Sequence, residues 1–136
     1  MRWSGLDELQ EELRNLPSNL RDEAAEIVRA AATQTRDETQ AIYQQHRRTG
    51  NMADHVSLDT QAIGPYGVAL RVRATSKHAH LFERGSQARH TSIGANRGSM
   101  PATPVLIRIA PRKRREMFQR LKDLLVRHGA KVTGDA

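Results

Sequence analysis

The residues best suited to chemistry are few. His78-Ala79-His80, with Glu83 three residues on, puts imidazole and carboxylate donors in one short segment. On a strand the two histidines share a face, and the pattern suggests metal ligation. A tetrahedral site needs three or four ligands, each oriented by its own hydrogen-bond partner. His55 and His90 are the nearest further donors, and nothing in their placement singles them out. No metal site is therefore expected here. Nucleophilic catalysis also lacks its parts. The chain has no cysteine, no Gly-x-Ser-x-Gly elbow and no phosphate-cradling glycine loop after a strand. The glycine-containing stretch Ser92–Ser99 leads into Pro101 and not into a helix, so it reads as a flexible arm. No catalytic residue and no cofactor is expected, and the chain is not expected to be an enzyme.

Arg112-Lys113-Arg114-Arg115 is the strongest concentration of charge. Pro111 suits the first turn of a helix, so the cluster is expected where the helix dipole disfavours cations by roughly 0.3–1 kcal/mol each. A locally unfavourable choice points to a use outside the helix, either an acidic face of an adjoining subunit or the phosphates of DNA. No aromatic residue is interleaved with these bases, which argues against stacking on single-stranded nucleic acid.

The elements that must carry these groups belong to one domain, since 136 residues is an ordinary domain length. Trp3, Tyr43, Tyr66, Phe82 and Phe118 are all the aromatics. The core must come from Leu, Ile, Val and Ala and is expected to be thin, completed by burial against neighbouring copies. Without cysteine there are no disulfides, and a reducing compartment is permitted. No apolar run approaches the roughly 20 residues of a membrane span. Asp7, Glu8, Glu11 and Glu12 stand where a secretory signal would be apolar, so synthesis and use without secretion are expected. The net charge of +7 is unevenly spread: residues 1–60 hold eleven acids and seven bases, and residues 61–136 hold four acids and fifteen bases. Such a bipolar subunit can set its acidic part against the basic part of the next copy, in a contact that closes into a ring if the rotation permits.

Leu6, Leu9, Leu13 and Leu16 predict a short helix over 5–16, interrupted at Pro17. A longer helix runs to about His46 on the stripe Leu20, Ala24, Ile27, Ala31 and Ile42. Its middle, from Thr33 to Gln40, lacks apolar residues and is expected to face solvent or another subunit. Gly50 is placed to end this helix. Alternation predicts strands over Val56–Thr60 and Val68–Ala74, joined by Gly64-Pro65-Tyr66-Gly67 into an antiparallel hairpin with one wet, basic face. Residues 77–85 fit a helical turn closed by Gly85 nearly as well as a strand. From Arg84 to Thr103 only Ile93 and Met100 are sizeable apolar residues, so 86–103 is expected to be a long extended loop. Val105–Ile109 reads as a short strand. A last helix, 111–129, carries Met117, Phe118, Leu121, Leu124 and Leu125 on one face and stops at Gly129. Residues 130–136 form a tail. The fold class expected is α+β: long N-terminal helices (5–46) and a C-terminal helix packed on a small antiparallel sheet (54–110), with a long loop extending from it.

Three segments carry a resemblance: Arg47-Arg48-Thr49-Gly50-Asn51-Met52, His78-Ala79-His80-Leu81-Phe82-Glu83-Arg84-Gly85-Ser86, and Met100-Pro101-Ala102-Thr103-Pro104-Val105-Leu106-Ile107-Arg108. In order and spacing they resemble the head–tail connector (tail-completion, or neck) proteins of long-tailed bacteriophages. That family shows an Arg-Thr-Gly-Asn turn after a long helix, then Glu-x-Gly-Ser/Thr, then Pro-Ala-x-Pro. Family members carry aromatic or apolar residues where His78 and His80 stand, which implies that these histidines pack beside the sheet, and Val105 and Ile109 here replace an aromatic and a proline. The likeness spans roughly residues 15–125. It implies a structural virion protein, assembled in the host cytoplasm into a homo-oligomeric ring, hexameric by first expectation and dodecameric as the alternative. The ring would join the head to the tail, surround double-stranded DNA, and meet adjacent neck proteins such as adaptor, stopper, tail terminator or tail tube. Glu83, Arg84, Arg108, Arg112, Lys113, Arg114 and Arg115 are the candidate interface residues. Loop 86–103 is expected to be disordered alone and ordered against a neighbouring ring. The alternative reading is a small basic nucleic-acid-binding protein.

Overall fold

A computed structural model describes residue 11 and residues 18–46, 51–64 and 67–129. Apart from residue 11, the expected helix over 5–16 lies outside the described residues, as do the Arg47–Gly50 turn, Pro65, Tyr66 and the tail from 130. The described elements are helix α1 (Ser18–Gln45), a single turn α2 (Asn51–Asp54), strands β1 (Val56–Gly64) and β2 (Gly67–Ala74), a short helix α3 (Ala79–Arg84) and helix α4 (Leu106–Arg127). The architecture is α+β, with both long helices and an antiparallel two-stranded sheet.

Helix α1 is the spine, because its buried side recurs every fourth residue. Toward its N-terminus Leu20 and Ala24 pack with Leu121 and Leu124 of α4. Toward its C-terminus Tyr43 packs with Ala53, Val56, Val105 and Ile109. The two long helices are therefore antiparallel. Between these clusters the stripe continues in threonine: Thr35 is 6% exposed and Thr39 is 0% exposed. Their hydroxyls donate to the carbonyls of Ala31 and Thr35, each at 2.7 Å. This corrects the expectation for the middle of the helix. A threonine hydroxyl that bonds the carbonyl four residues back presents only its methyl to the neighbours, so Thr35 and Thr39 are buried within their own subunit. Eleven apolar residues are buried among the described residues, and three are alanines, so the core is thin.

The sheet pairs Val56 with Ala74, Leu58 with Val72 and Thr60 with Leu70, and a bulge at Gln61 then brings Ile63 opposite Val68. These residues share the apolar face. The opposite face carries Ser57, Asp59, Arg71 and Arg73, with an Arg73–Asp59 ion pair at 2.9 Å. Cover from α1 ends before the tip of the hairpin, where Ile63 is 74% exposed.

Within 77–85 the chain forms the short helix Ala79–Arg84, and the run Val105–Ile109 is no strand but the cap and first residues of α4. Helix α4 begins at Leu106, which places Pro111 inside it. Residues 86–103 are not a structureless loop. They form an irregular hairpin arm, with Ser86 N–H donating to Met100 O (2.9 Å), Arg97 N–H to Arg89 O (2.7 Å) and Thr91 N–H to Ala95 O (2.9 Å). Apart from Thr91, residues 87–99 are exposed.

Candidate functional site: the root of the arm

Both ends of the arm meet at Glu83. Helix α3 delivers this carboxylate into the interior, where it is 8% exposed. Its Oε1 accepts the Tyr43 hydroxyl at 2.6 Å and the Leu106 N–H at 2.8 Å, and its Oε2 accepts the Val105 N–H at 2.9 Å. Val105 makes no side-chain cap of its own. The first N–H groups of a helix lack intrahelical partners and favour negative charge, so Glu83 serves as the cap of α4 from more than twenty residues away. The ring of Phe82, next to it, meets Tyr43 edge-on at a centroid distance of 5.6 Å. Thr103 N–H closes the root by donating to Phe82 O at 2.8 Å.

Gly85 follows in the same place. Its φ is +75° and ψ is −179°, a conformation essentially reserved for glycine. A Cβ there would lie 2.7 Å from Met100 O and 2.8 Å from Ala102 N, both backbone atoms of the returning limb. The Glu-x-Gly pattern thus has a physical content. The acid caps the helix after the arm, and the glycine lets the two limbs touch.

Burial, and then the hydrogen bond and charge of Glu83, push the Tyr43 hydroxyl well above its ordinary value of about 10. The folded state therefore holds this proton more tightly than the unfolded chain does. The associated stability is fully present below about pH 10 and is lost as pH rises beyond it. Alkaline melts are expected to show this loss in the wild type and not in Tyr43→Phe. One of the chain's two tyrosines should resist ionisation in an ultraviolet titration until unfolding. A hydroxyl that ionises freely near pH 10 would contradict the buried Tyr43–Glu83 bond.

The candidate interface residues divide. Glu83 is internal, which corrects its assignment as a contact to another subunit. Arg84 and Arg108 are exposed. The basic cluster starts at the seventh residue of α4, because Glu83 draws the helix start back to Leu106. It therefore lies beyond the first turn, and the argument from the helix dipole does not apply to it. Arg112 pairs with Glu38 of α1, and Lys113 pairs with Glu38 at 2.7 Å and Glu116 at 3.2 Å. The Lys113 hydrogen bond is the main cause holding the Glu38 carboxyl below its usual value. These two bases fasten α4 to α1 within the subunit. Arg114 and Arg115 are exposed and have no partner among the described residues. From Arg84 to Arg115 the chain holds eight bases and no acid.

His78 and His80 do not pack beside the sheet; both are exposed at α3. Among the described residues no three His, Cys, Asp or Glu side chains converge as a metal site would require. No described helix is long and apolar enough to cross a membrane. No family model, curated protein or solved structure matches this chain.

Proposed function

We propose that this chain is a structural subunit of the phage neck. Copies would form a ring, six-membered by preference, that joins the DNA-filled head to the tail and surrounds the DNA channel. The observation that carries the reading is the arm. Its root is fixed by a buried carboxylate cap and a glycine contact, and beyond that root residues 87–99 cover almost nothing of their own subunit. A firmly aimed projection without a target among the described residues suits assembly. The partly uncovered apolar face at Ile63 supports the same reading, as do the uneven charge and the three motif segments.

The test is mass in solution. Native mass spectrometry and sedimentation of the purified chain should give a ring, alone or on addition of adjacent neck proteins. A chain that stays monomeric at high concentration with those proteins present overturns the proposal. A second reading, a small basic nucleic-acid-binding protein, is favoured by the acid-free stretch from Arg84 to Arg115. It requires steeply salt-dependent affinity for duplex DNA by a small species.

A further inference from the structure

We infer that the arm of one copy seats on the acidic outer face of α1 in the next copy, with Arg89 and Arg97 set against Asp22, Glu23 and Glu26. The inference rests on the ring reading and names the contact that would build it.

The ladder puts Arg89 and Arg97 side by side: Arg89 N–H donates to Gly98 O at 3.1 Å and Arg97 N–H to Arg89 O at 2.7 Å. Both side chains are exposed, and neither has an acidic partner among the described residues. Like charges adjacent across a ribbon repel. At the tip Ile93 is 89% exposed. On α1, Leu20, Ala24, Ile27 and Val28 face α4. At 3.6 residues per turn, Asp22 and Glu26 point the opposite way, with Glu23 flanking them. All three acids are exposed and lack an ion pair among the described residues. They lie one turn apart, an arrangement that also repels and that exposed Arg29, three residues after Glu26 on the same face, offsets only in part. Each surface thus carries an excess of unpaired charge in a lone subunit, of opposite sign on the two, and each complements the other.

The contact must join two copies. The arm is rooted beside Tyr43, which lies about 28 Å along the helix from Ala24 at 1.5 Å per residue. A limb from Ser86 to Ile93 reaches about 23 Å at 3.3 Å per residue, and its arginines sit short of the tip. The arm therefore cannot reach its own patch. Two different surfaces meeting head to tail make a heterologous contact, the kind that closes into rings.

Charge reversal tests this. The arm-reversed variant is Arg89→Glu with Arg97→Glu. The patch-reversed variant is Glu23→Arg with Glu26→Arg. Lys77→Glu with Arg120→Glu is the control for an equal change of net charge elsewhere on the surface. All these positions are exposed, so circular dichroism should show wild-type folding. Arm or patch reversal should weaken assembly about ten-fold or more, and mixing the two variants should restore it as alternating copies. The control should assemble like the wild type. Arm-reversed protein that assembles normally, or mixtures that fail to recover, overturn the inference and leave the ring reading standing. A wild-type chain that never assembles overturns both. Loss of duplex-DNA binding on arm reversal with unchanged mass assigns the arm to nucleic acid and also overturns it.

Discussion

Glu83→Ala is expected to lower the unfolding free energy by about 3–5 kcal/mol, as buried donors left without an acceptor cost about 1–3 kcal/mol each. Four donors lose their acceptor at once: the Tyr43 hydroxyl, the Val105 and Leu106 N–H groups and, at 3.5 Å, the Ile107 N–H. Water can enter to serve some of them, which keeps the loss below the simple total. Glu83→Gln should cost less, because one side-chain oxygen remains. Its amide N–H₂, however, must then face a helix amide in either orientation, Val105 or Leu106, and a backbone N–H cannot accept, although the tyrosine hydroxyl can. Tyr43→Phe should cost about 1 kcal/mol, since the cap on α4 survives. The expected order is therefore alanine, glutamine, then Tyr43→Phe, read from denaturant midpoints. Hydrogen exchange should show the Val105 and Leu106 amides losing protection in the first two variants only. If Glu83 instead contacted a neighbouring subunit, its removal would change assembly and leave the midpoint of the separated chain alone. A loss for Glu83→Ala under about 1 kcal/mol would exclude the buried cap.

The same residue explains which parts of the molecule were legible in the sequence. The long helix, the hairpin of alternating residues and the amphipathic face of the last helix were legible, because each is written in local periodicity. The start of α4 was not. Val105-Leu106-Ile107-Arg108-Ile109 is too short for periodicity to separate strand from helix, and Pro111 is the usual mark of a first turn. What decides the matter is a carboxylate more than twenty residues upstream, and no local rule reports that. With a start at Pro111, Arg112–Arg115 would fall in the first turn; with the start at Leu106 they lie beyond it, where the helix dipole has faded. The Thr35–Thr39 stretch failed differently: threonine counts as polar in a pattern, yet its hydroxyl was satisfied by its own helix and its methyl was free to pack. In the candidate site, Glu83 and Gly85 were singled out by resemblance, and the structure supplies what each does. The arm's pairing is not legible in the sequence, because its limbs hold few apolar residues and its hydrogen bonds leave no hydrophobic trace.

Gly85→Ala should be the most damaging single methyl in the arm. The residue's φ of +75° with ψ near 180° costs a side-chain-bearing residue about 1–3 kcal/mol. The added carbon would also meet Met100 O at 2.7 Å and Ala102 N at 2.8 Å. Backbone atoms cannot swing aside like a lysine tail, so either the root opens or the returning limb shifts. A total near 2–4 kcal/mol is expected, from backbone strain together with overpacking. Gly94 and Gly98 provide the comparison within the same arm. Both have positive φ, at +81° and +70°, yet a Cβ at either would find nothing within 4 Å. Alanine there should cost only about 1–2 kcal/mol, the backbone penalty alone. The difference between the sites measures the contact at the root separately from glycine's conformational preference. It also separates fold from assembly. If the shifted limb breaks the Ser86–Met100 pairing while the helices persist, Gly85→Ala should keep its helical circular dichroism yet fail to assemble with wild-type strength. Equal stability and equal assembly for Gly85→Ala and Gly94→Ala would mean that the root does not aim the arm, and the case for a positioned projection would fall with it.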